Sequence, residues 1–467
     1  MEIKTLIEKY KNGEISVEQK TREILEKVEK NELNQYITIN DKAIDRAKEL
    51  DMKLKNGEEL GKLFGICVSI KDNVSTKDLK TTCASKMLSD FIPVYNATII
   101  DNLMKEDAII IAKTNMDEFA MGSTSETSYY GPVKNPLDNK RIPGGSSSGS
   151  AASVGNKDVL LSVGSDTGGS VRQPASYCNI VGYLPTYSLI SRYGVVSLAN
   201  TLDQVSLFAD SVDDLIEFAD VVSSPDENDM TSILEKYDFS RYDYDFNGKK
   251  IAIPKDLKKY GVEDEILEDF NKALDILKDN GAEISEIEFK YIRYANQIYN
   301  IVMSCEAASN LARYDGLRLG YHPDNYNGLE ELFKKTRTEG FGEEVKRRIA
   351  LGTYYLSKDD EQKHYKQGLK LRKLLKDELR GYLDEYDFIL TPTTTDLPAY
   401  LDDGDEDALK VYDSGIFNVI TNLSSLCAIS VPVRKGLSGS VQFMAKEFED
   451  RDLLNAARAF ERSRNGN

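Results

Sequence analysis

Histidine is nearly missing from this chain: His322 and His364 are the only two in 467 residues, and both fall in its charged, tyrosine-rich second half, away from any glycine-rich loop. Catalysis through a histidine base is therefore not expected. Cysteine is sparse too. Cys67, Cys83, Cys178, Cys305 and Cys427 stand singly, with no C-x-x-C pair and no neighbouring histidines, so no zinc site or disulfide framework is indicated. A reducing cytoplasm suits them best. No stretch approaches the ~18 uninterrupted apolar residues of a membrane span. The N-terminal MEIKTLIEKYKNGEISVEQK mixes acids and bases, where a signal peptide would be apolar and a transit peptide poor in acids. Positive charge is in deficit: 60 Lys and Arg against 78 Asp and Glu leave a formal net charge of -18. Nucleic-acid affinity depends on cations that displace counterions from phosphates, so any nucleic acid would need a partner to hold it. No G-x-x-x-x-G-K-[ST] loop for nucleotide phosphates is present.

What is present is length enough for one large core or for two or three domains. Residues 2–56 carry apolar residues at helical spacing among many charges, which predicts two or three solvent-facing helices; residues 1–60 read as a packing layer of the same domain that fills 61–467. From Leu63 short apolar runs alternate with polar and helical stretches: FGICVSI (64–70), AIIIA (108–112) and VLLSVG (159–164), then late in the chain FILTP (388–392) and AISVPV (428–433). Such runs predict strands buried under helices on both faces, an α/β layered fold. The polar segment 223–248 reads as a surface excursion within one domain. EQKHYKQGLKLRKLLKDELRGYLD (361–384) predicts a long amphipathic helix with a solvated face.

Chemistry concentrates in RIPGGSSSGSAASVG (141–155) and SVGSDTGGSVRQPAS (162–176). Serine and glycine this dense are equally the composition of a flexible linker. The flanks argue otherwise, because the second stretch runs from a buried strand into a helix start with Pro174 in its first turn. A glycine-rich turn at a helix N-terminus gathers backbone N–H groups around one spot, which makes it an anion site. For an oxyanion the natural donors are Thr167, Gly168 and Gly169, and Ser170 follows them where a nucleophile would stand. A serine needs a base. Lys71, at the end of a buried strand, is the candidate, since burial lowers a lysine pKa; a lysine that merely snorkels at a strand end is the alternative.

The blocks SIKDN (69–73), TNMDEFAMGS (114–123), PGGSSSGSAAS (143–153) and GSDTGGSVRQPAS (164–176), in this order and spacing, resemble the signature of the amidase signature family. The similarity runs through most of the chain, including SCEAASNLARYDGLRLG and GFGEEVKRRIALGTYYLS, and is longest to the family's branch of tRNA-dependent amidotransferase A subunits. The resemblance implies a large mixed twisted β-sheet sandwiched between helices, with its signature core at about 61–210. It implies Lys71 as base, Ser146 as a bridging serine held by a cis peptide bond, Ser170 as nucleophile, and an oxyanion held by N–H groups of residues 167–170. The implied reaction hydrolyses glutamine to glutamate and ammonia. The ammonia passes to a kinase/transamidase partner that uses ATP and Mg and holds most of the tRNA, and a small third subunit completes the heterotrimer. No cofactor is implied in this chain. Tyr299 and Arg348 match glutamine-binding positions of that branch, and Ala120 and Met121 would line the same pocket. The branch's carboxylate for the substrate ammonium aligns with Gly415, so Asp413, two residues earlier, is the substitute. Ser148 departs from a common glycine.

Three other readings remain on the same residues. A freestanding amidase acting on a small or aryl amide shares the triad. A non-catalytic scaffold would not need to retain all of it. Gly145 to Gly149 also fits G-x-S-x-G, which would make Ser147 the nucleophile of an α/β-hydrolase, but that class needs a histidine in a late loop and His364 lies in a helical stretch.

Overall fold

The apolar runs become strands of one sheet. The computed structural model describes residues 2–357, 363–401 and 414–466. In it β1 (Tyr36–Ile39), β2 (Cys67–Lys71), β3 (Ile109–Thr114), β4 (Leu161–Asp166), β5 (Val181–Leu184), β6 (Gln204–Ala209), β7 (Lys250–Pro254), β8 (Glu283–Ile287), β9 (Phe388–Pro392), β10 (Cys427–Pro432) and β11 (Ser440–Ala445) form a sheet in the order β1-β3-β2-β4-β6-β5-β10-β11-β9-β7-β8. The pairs β2–β3, β2–β4, β7–β8 and β7–β9 are parallel and the rest antiparallel, so the sheet is mixed. Every residue of the inner strands β2 to β6 and β9 to β11 is buried. That burial on both faces explains why their sequences are continuous apolar runs and not alternating ones. All five strands read from the sequence are present.

Fourteen helices occur among the described residues: α1 (Ile3–Lys11), α2 (Val17–Lys30), α3 (Ala43–Lys55), α4 (Thr98–Lys105), α5 (Ser148–Gly155), α6 (Arg172–Tyr177), α7 (Val212–Val222), α8 (Asp264–Asp279), α9 (Ala295–Asn310), α10 (Gly328–Gly340), α11 (Glu343–Leu356), α12 (Lys363–Leu383), α13 (Ile416–Ser424) and α14 (Asp450–Arg464). Their starts follow capping chemistry where it is available; Ser16 accepts from the Gln19 N–H at the head of α2, and Val17, Thr21, Ile24 and Val28 bury its inner face. No described helix is long and apolar enough to cross a membrane.

The N-terminal layer holds more than helices. Tyr36–Ile39 adds an edge strand antiparallel to β3. Only Tyr36 of the four is fully buried, so no apolar run marks the strand in the sequence. The 223–248 excursion carries no helix or strand up to β7, yet Phe239 and Phe246 anchor it in the core. Pairing of β5 with β10 joins the early and late strands into one sheet, so no boundary falls at that excursion.

This topology sets the site. Because β2 and β4 are parallel neighbours with Ile70 opposite Val163, their C-terminal ends emerge at the same edge. Lys71 ends β2, Asp166 ends β4, and the loop that leads into α5 lies beside both. The C-terminal edge of parallel strands is where α/β folds place their ligands.

Candidate active site

Lys71 is fully buried. Its Nζ lies 2.8 Å from Ser146 Oγ, 2.8 Å from Ser147 Oγ, 2.9 Å from Ser165 Oγ and 3.1 Å from the Ser165 carbonyl oxygen. An ammonium can donate to three of these oxygens, and a neutral amine can donate to two and accept from one hydroxyl through its lone pair, so the cluster accommodates both forms. Ser147 Oγ already donates to the Ser165 carbonyl, at 3.1 Å. Ser146 Oγ has no other partner among the described residues, and Ser165 Oγ otherwise accepts from Asn73 Nδ2 at 3.0 Å, so each of these hydroxyls has a proton it can donate to the amine. Burial pushes the Lys71 amine down to about 7, against the opposing pull of Asp117, Asp166, Asp203 and Cys83. At neutral pH it is therefore poised between its two forms, as a general base requires.

The Gly145–Ser146 peptide bond is cis, and the Ser147 N–H donates to the Ser170 carbonyl at 3.2 Å, which ties the two serine-rich segments together. Ser170 opens into a pocket at the sheet edge. No hydrogen bond joins its hydroxyl to that of Ser146, so the structure makes the Lys71–Ser146 link and leaves the Ser146–Ser170 link open. The amine-centred cluster also includes Ser147, which the sequence offered only as an alternative nucleophile, and Ser165, which it did not single out. Ser165 sits on β4, one residue before its end, and its only sequence signal was a polar residue inside a buried strand. The Ser147 alternative fails on geometry: its partners are Lys71 and Ser165, and neither histidine lines this pocket.

The turn from Thr167 to Ser170 departs from expectation at one position. The Gly169 N–H is spent on Asp166 Oδ1, at 2.7 Å, and so is not one of the open donors. Those facing no partner among the described residues are the N–H groups of Thr167, Gly168 and Ser170. Thr167 is held through its hydroxyl by Asp203 Oδ1, at 2.8 Å. Gly169 is required where it stands: its φ of +118° is one that L side chains rarely adopt, and a Cβ would lie 2.6 Å from Asn418 Cβ. Behind the turn Arg172, fully buried, forks onto both oxygens of Asp166 at 3.0 and 3.1 Å. Burial alone would raise the Asp166 carboxyl, but Arg172 and the Gly169 N–H outweigh it and hold the group below its ordinary value. Arg172 also reaches Gln442, Asn422, Thr421 and the Asn418 carbonyl, which fastens the turn to α13 and β11.

Tyr299 on α9 and Arg348 on α11 both line the Ser170 pocket. The Tyr299 ring packs over Gly168, where a Cβ would come within 2.6 Å of it. Arg348 donates through Nε to Glu344 Oε1 at 2.6 Å, so part of its charge is already balanced. Ala120 and Met121 do not line this pocket. Ala120 opens instead on a neighbouring cavity shared with Asn73 and Ser165, Met121 is fully buried, and Gly122 and Ser123 form the wall. A short helical turn through Glu118–Ala120, with φ positive at Phe119 and Ala120, re-aims this segment. Gly415 does reach the pocket, at the start of α13, and Asp413 lies outside the described residues. Gln173, whose Oε1 accepts from the Gly145 N–H at 3.1 Å, and Asn418 complete the wall and were not anticipated.

The family model for amidases matches residues 19–454. The chain belongs to the amidase family. Among curated proteins, this amidase is 45% identical over 440 residues to a glutamyl-tRNA(Gln) amidotransferase A subunit of Clostridium acetobutylicum, covering 93% of this chain and 92% of that protein. It is 42% identical over 469 residues to the corresponding A subunit of Caldanaerobacter subterraneus subsp. tengcongensis, covering 99% and 95%. Among solved structures, the glutamyl-tRNA(Gln) amidotransferase A subunit of Thermotoga maritima superposes with a TM-score of 0.79 at 35% identity, covering 96% of this chain and 92% of that one.

Proposed function

We propose that this amidase hydrolyses glutamine through an acyl-enzyme on Ser170 and hands the ammonia to a partner subunit of a tRNA-dependent amidotransferase. The observation that carries the mechanism is the buried Lys71 amine, pushed down to about 7 by burial and 2.8 Å from Ser146 Oγ. Lys71 takes the Ser146 proton as Ser146 takes that of Ser170. The Ser170 oxygen then adds to the amide carbon, and the oxyanion is met by the open N–H groups of Thr167, Gly168 and Ser170, where one well-placed donor is worth ~3–4 kcal/mol of barrier. The relay returns its proton to the leaving nitrogen, ammonia departs, and water frees glutamate by the same steps. Arg348 suits the substrate carboxylate and Tyr299 packs beside it. The near full-length similarity to amidotransferase A subunits supports the tRNA-linked role. In that role ATP and Mg belong to the partner, a small third subunit completes the assembly, and the partner carries the tRNA, which suits a chain of net charge -18.

A second reading is a free amidase for a small amide without an α-ammonium. Gly415 at the pocket wall, where a carboxylate would bind that ammonium, favours it. Ammonia release from glutamine and from a simple aryl amide, measured on the full chain with its co-purified subunits, separates the two. Lys71→Ala and Ser170→Ala should each abolish release, and undiminished release in either removes the mechanism.

A further inference from the structure

Three carboxylates act on the Lys71 amine, and their own hydrogen bonding differs. Asp166 gives both oxygens to Arg172 and to the N–H groups of Gly169 and Val171. Asp203 gives Oδ1 to Thr167 and Oδ2 to Ser197 and the N–H groups of Leu198 and Ala199. Asp117, fully buried three residues after β3, accepts on Oδ1 alone, from the Ser125 N–H at 3.0 Å and Thr127 Oγ1 at 2.8 Å. Its Oδ2 is buried with no partner among the described residues. The carboxyl is wedged between Gly122 and Gly145, so closely that a side-chain carbon on either would collide with it. Its own backbone N–H donates to the Ser146 carbonyl at 3.2 Å. A buried carboxylate oxygen without a donor is costly and calls for a compensating role.

We infer that Asp117 is a positioning residue of the proton relay: it fixes the Gly145–Ser146 peptide and supplies the counter-charge for the ammonium that Lys71 becomes. The inference rests on the triad reading above. While the amine is neutral the unpaired oxygen does little for it. As the Ser170 oxygen bonds to the amide carbon, the Ser170 proton moves to Ser146 and that of Ser146 to Lys71, and the cation that appears draws out the charged form of the Asp117 carboxyl, which burial otherwise raises above its ordinary value. Attraction that grows only as the reaction proceeds lowers the barrier. Asp117 is the strongest of the charges acting on Lys71, ahead of Asp166, Asp203 and Cys83, which agrees with this placement.

The test is the pH profile of ammonia release by the full chain with its accompanying subunits, for wild type, Asp117→Asn and Ser170→Ala. Loss of the counter-charge should lower the plateau and move the ascending limb to lower pH by about one unit or more, the usual effect of removing an opposite charge that acts on a buried group. A lowered plateau with an unmoved limb would mean a packing role only and would overturn the inference. Should Asp117→Asn not fold, Thr127→Val removes a donor from Oδ1, favours the neutral carboxyl, and is expected to move the limb the same way by less; an unmoved limb there overturns it too. Ser170→Ala, read separately for loss of turnover, tests the triad itself, so failure of the one is not mistaken for failure of the other.

Discussion

Replacing Lys71 with methionine should stabilise the protein while inactivating it. Methionine fills a similar volume without a charge. The native state holds the amine at about 7 against an ordinary 10.5, so at pH 7 the unfolded chain binds almost a full proton and the native one about half. At 1.36 kcal/mol per pKa unit, that difference costs the native state about 4 kcal/mol. Against this, Ser146 Oγ loses its only partner and Ser147 and Ser165 each lose one, a penalty of ~1–3 kcal/mol. The net expectation is a gain of about 1–3 kcal/mol. The pH dependence fixes its origin. A lysine with a lowered native pKa carries its full cost below about pH 7, and the cost fades as pH rises towards 10.5 because the unfolded chain then loses its proton as well. The stability gap between variant and wild type should therefore be largest at and below pH 7 and shrink steadily to pH 10. With ~2.1 cal/mol/K of unfolding entropy per residue, a chain of 467 residues gains roughly 1 °C in Tm per kcal/mol. Denaturant unfolding at pH 7, 8.5 and 10 is the assay. A variant less stable than wild type at pH 7, or a gap that does not change with pH, would refute the argument that burial of this amine is a cost carried for catalysis.

Arg172→Met should be among the most damaging single changes, since it strands the buried Asp166 carboxylate and frees Asn422, Thr421 and Gln442; a loss of about 3–5 kcal/mol is expected by denaturant unfolding. Gly169→Ala should abolish ammonia release and cost about 1–3 kcal/mol, because the left-handed turn and the Asn418 contact both resist a Cβ; activity near the wild-type level would show that the turn does not hold the oxyanion.

The parts of this amidase that were legible in advance share one property: each is a consequence of local sequence. Strands such as Phe388–Pro392 announce themselves because an inner strand, buried on both faces, must be a short apolar run between polar boundaries. The 36–39 edge strand did not, because an edge strand is recruited by its neighbour β3 and not by its own pattern. Ala120 and Met121 were placed at the pocket from their position in a motif, and the positive φ values at Phe119 and Ala120 turn that segment so that Gly122 and Ser123 face it instead.

The sequence by itself determined the layered α/β class, the near-absence of histidine chemistry, and the two glycine–serine turns that could hold an anion and a nucleophile, because composition, burial period and turn residues are local properties of a chain. Only the tertiary structure decided that Lys71 meets Ser146 and not a solvent-exposed partner, that Gly169 spends its N–H on Asp166, and that Tyr299 and Arg348, from helices more than a hundred residues downstream of Ser170, close over it. Proton transfer, donor availability and pKa depend on distances of a few ångströms and on exclusion of water, and those are set when separate strands and helices pack against one another.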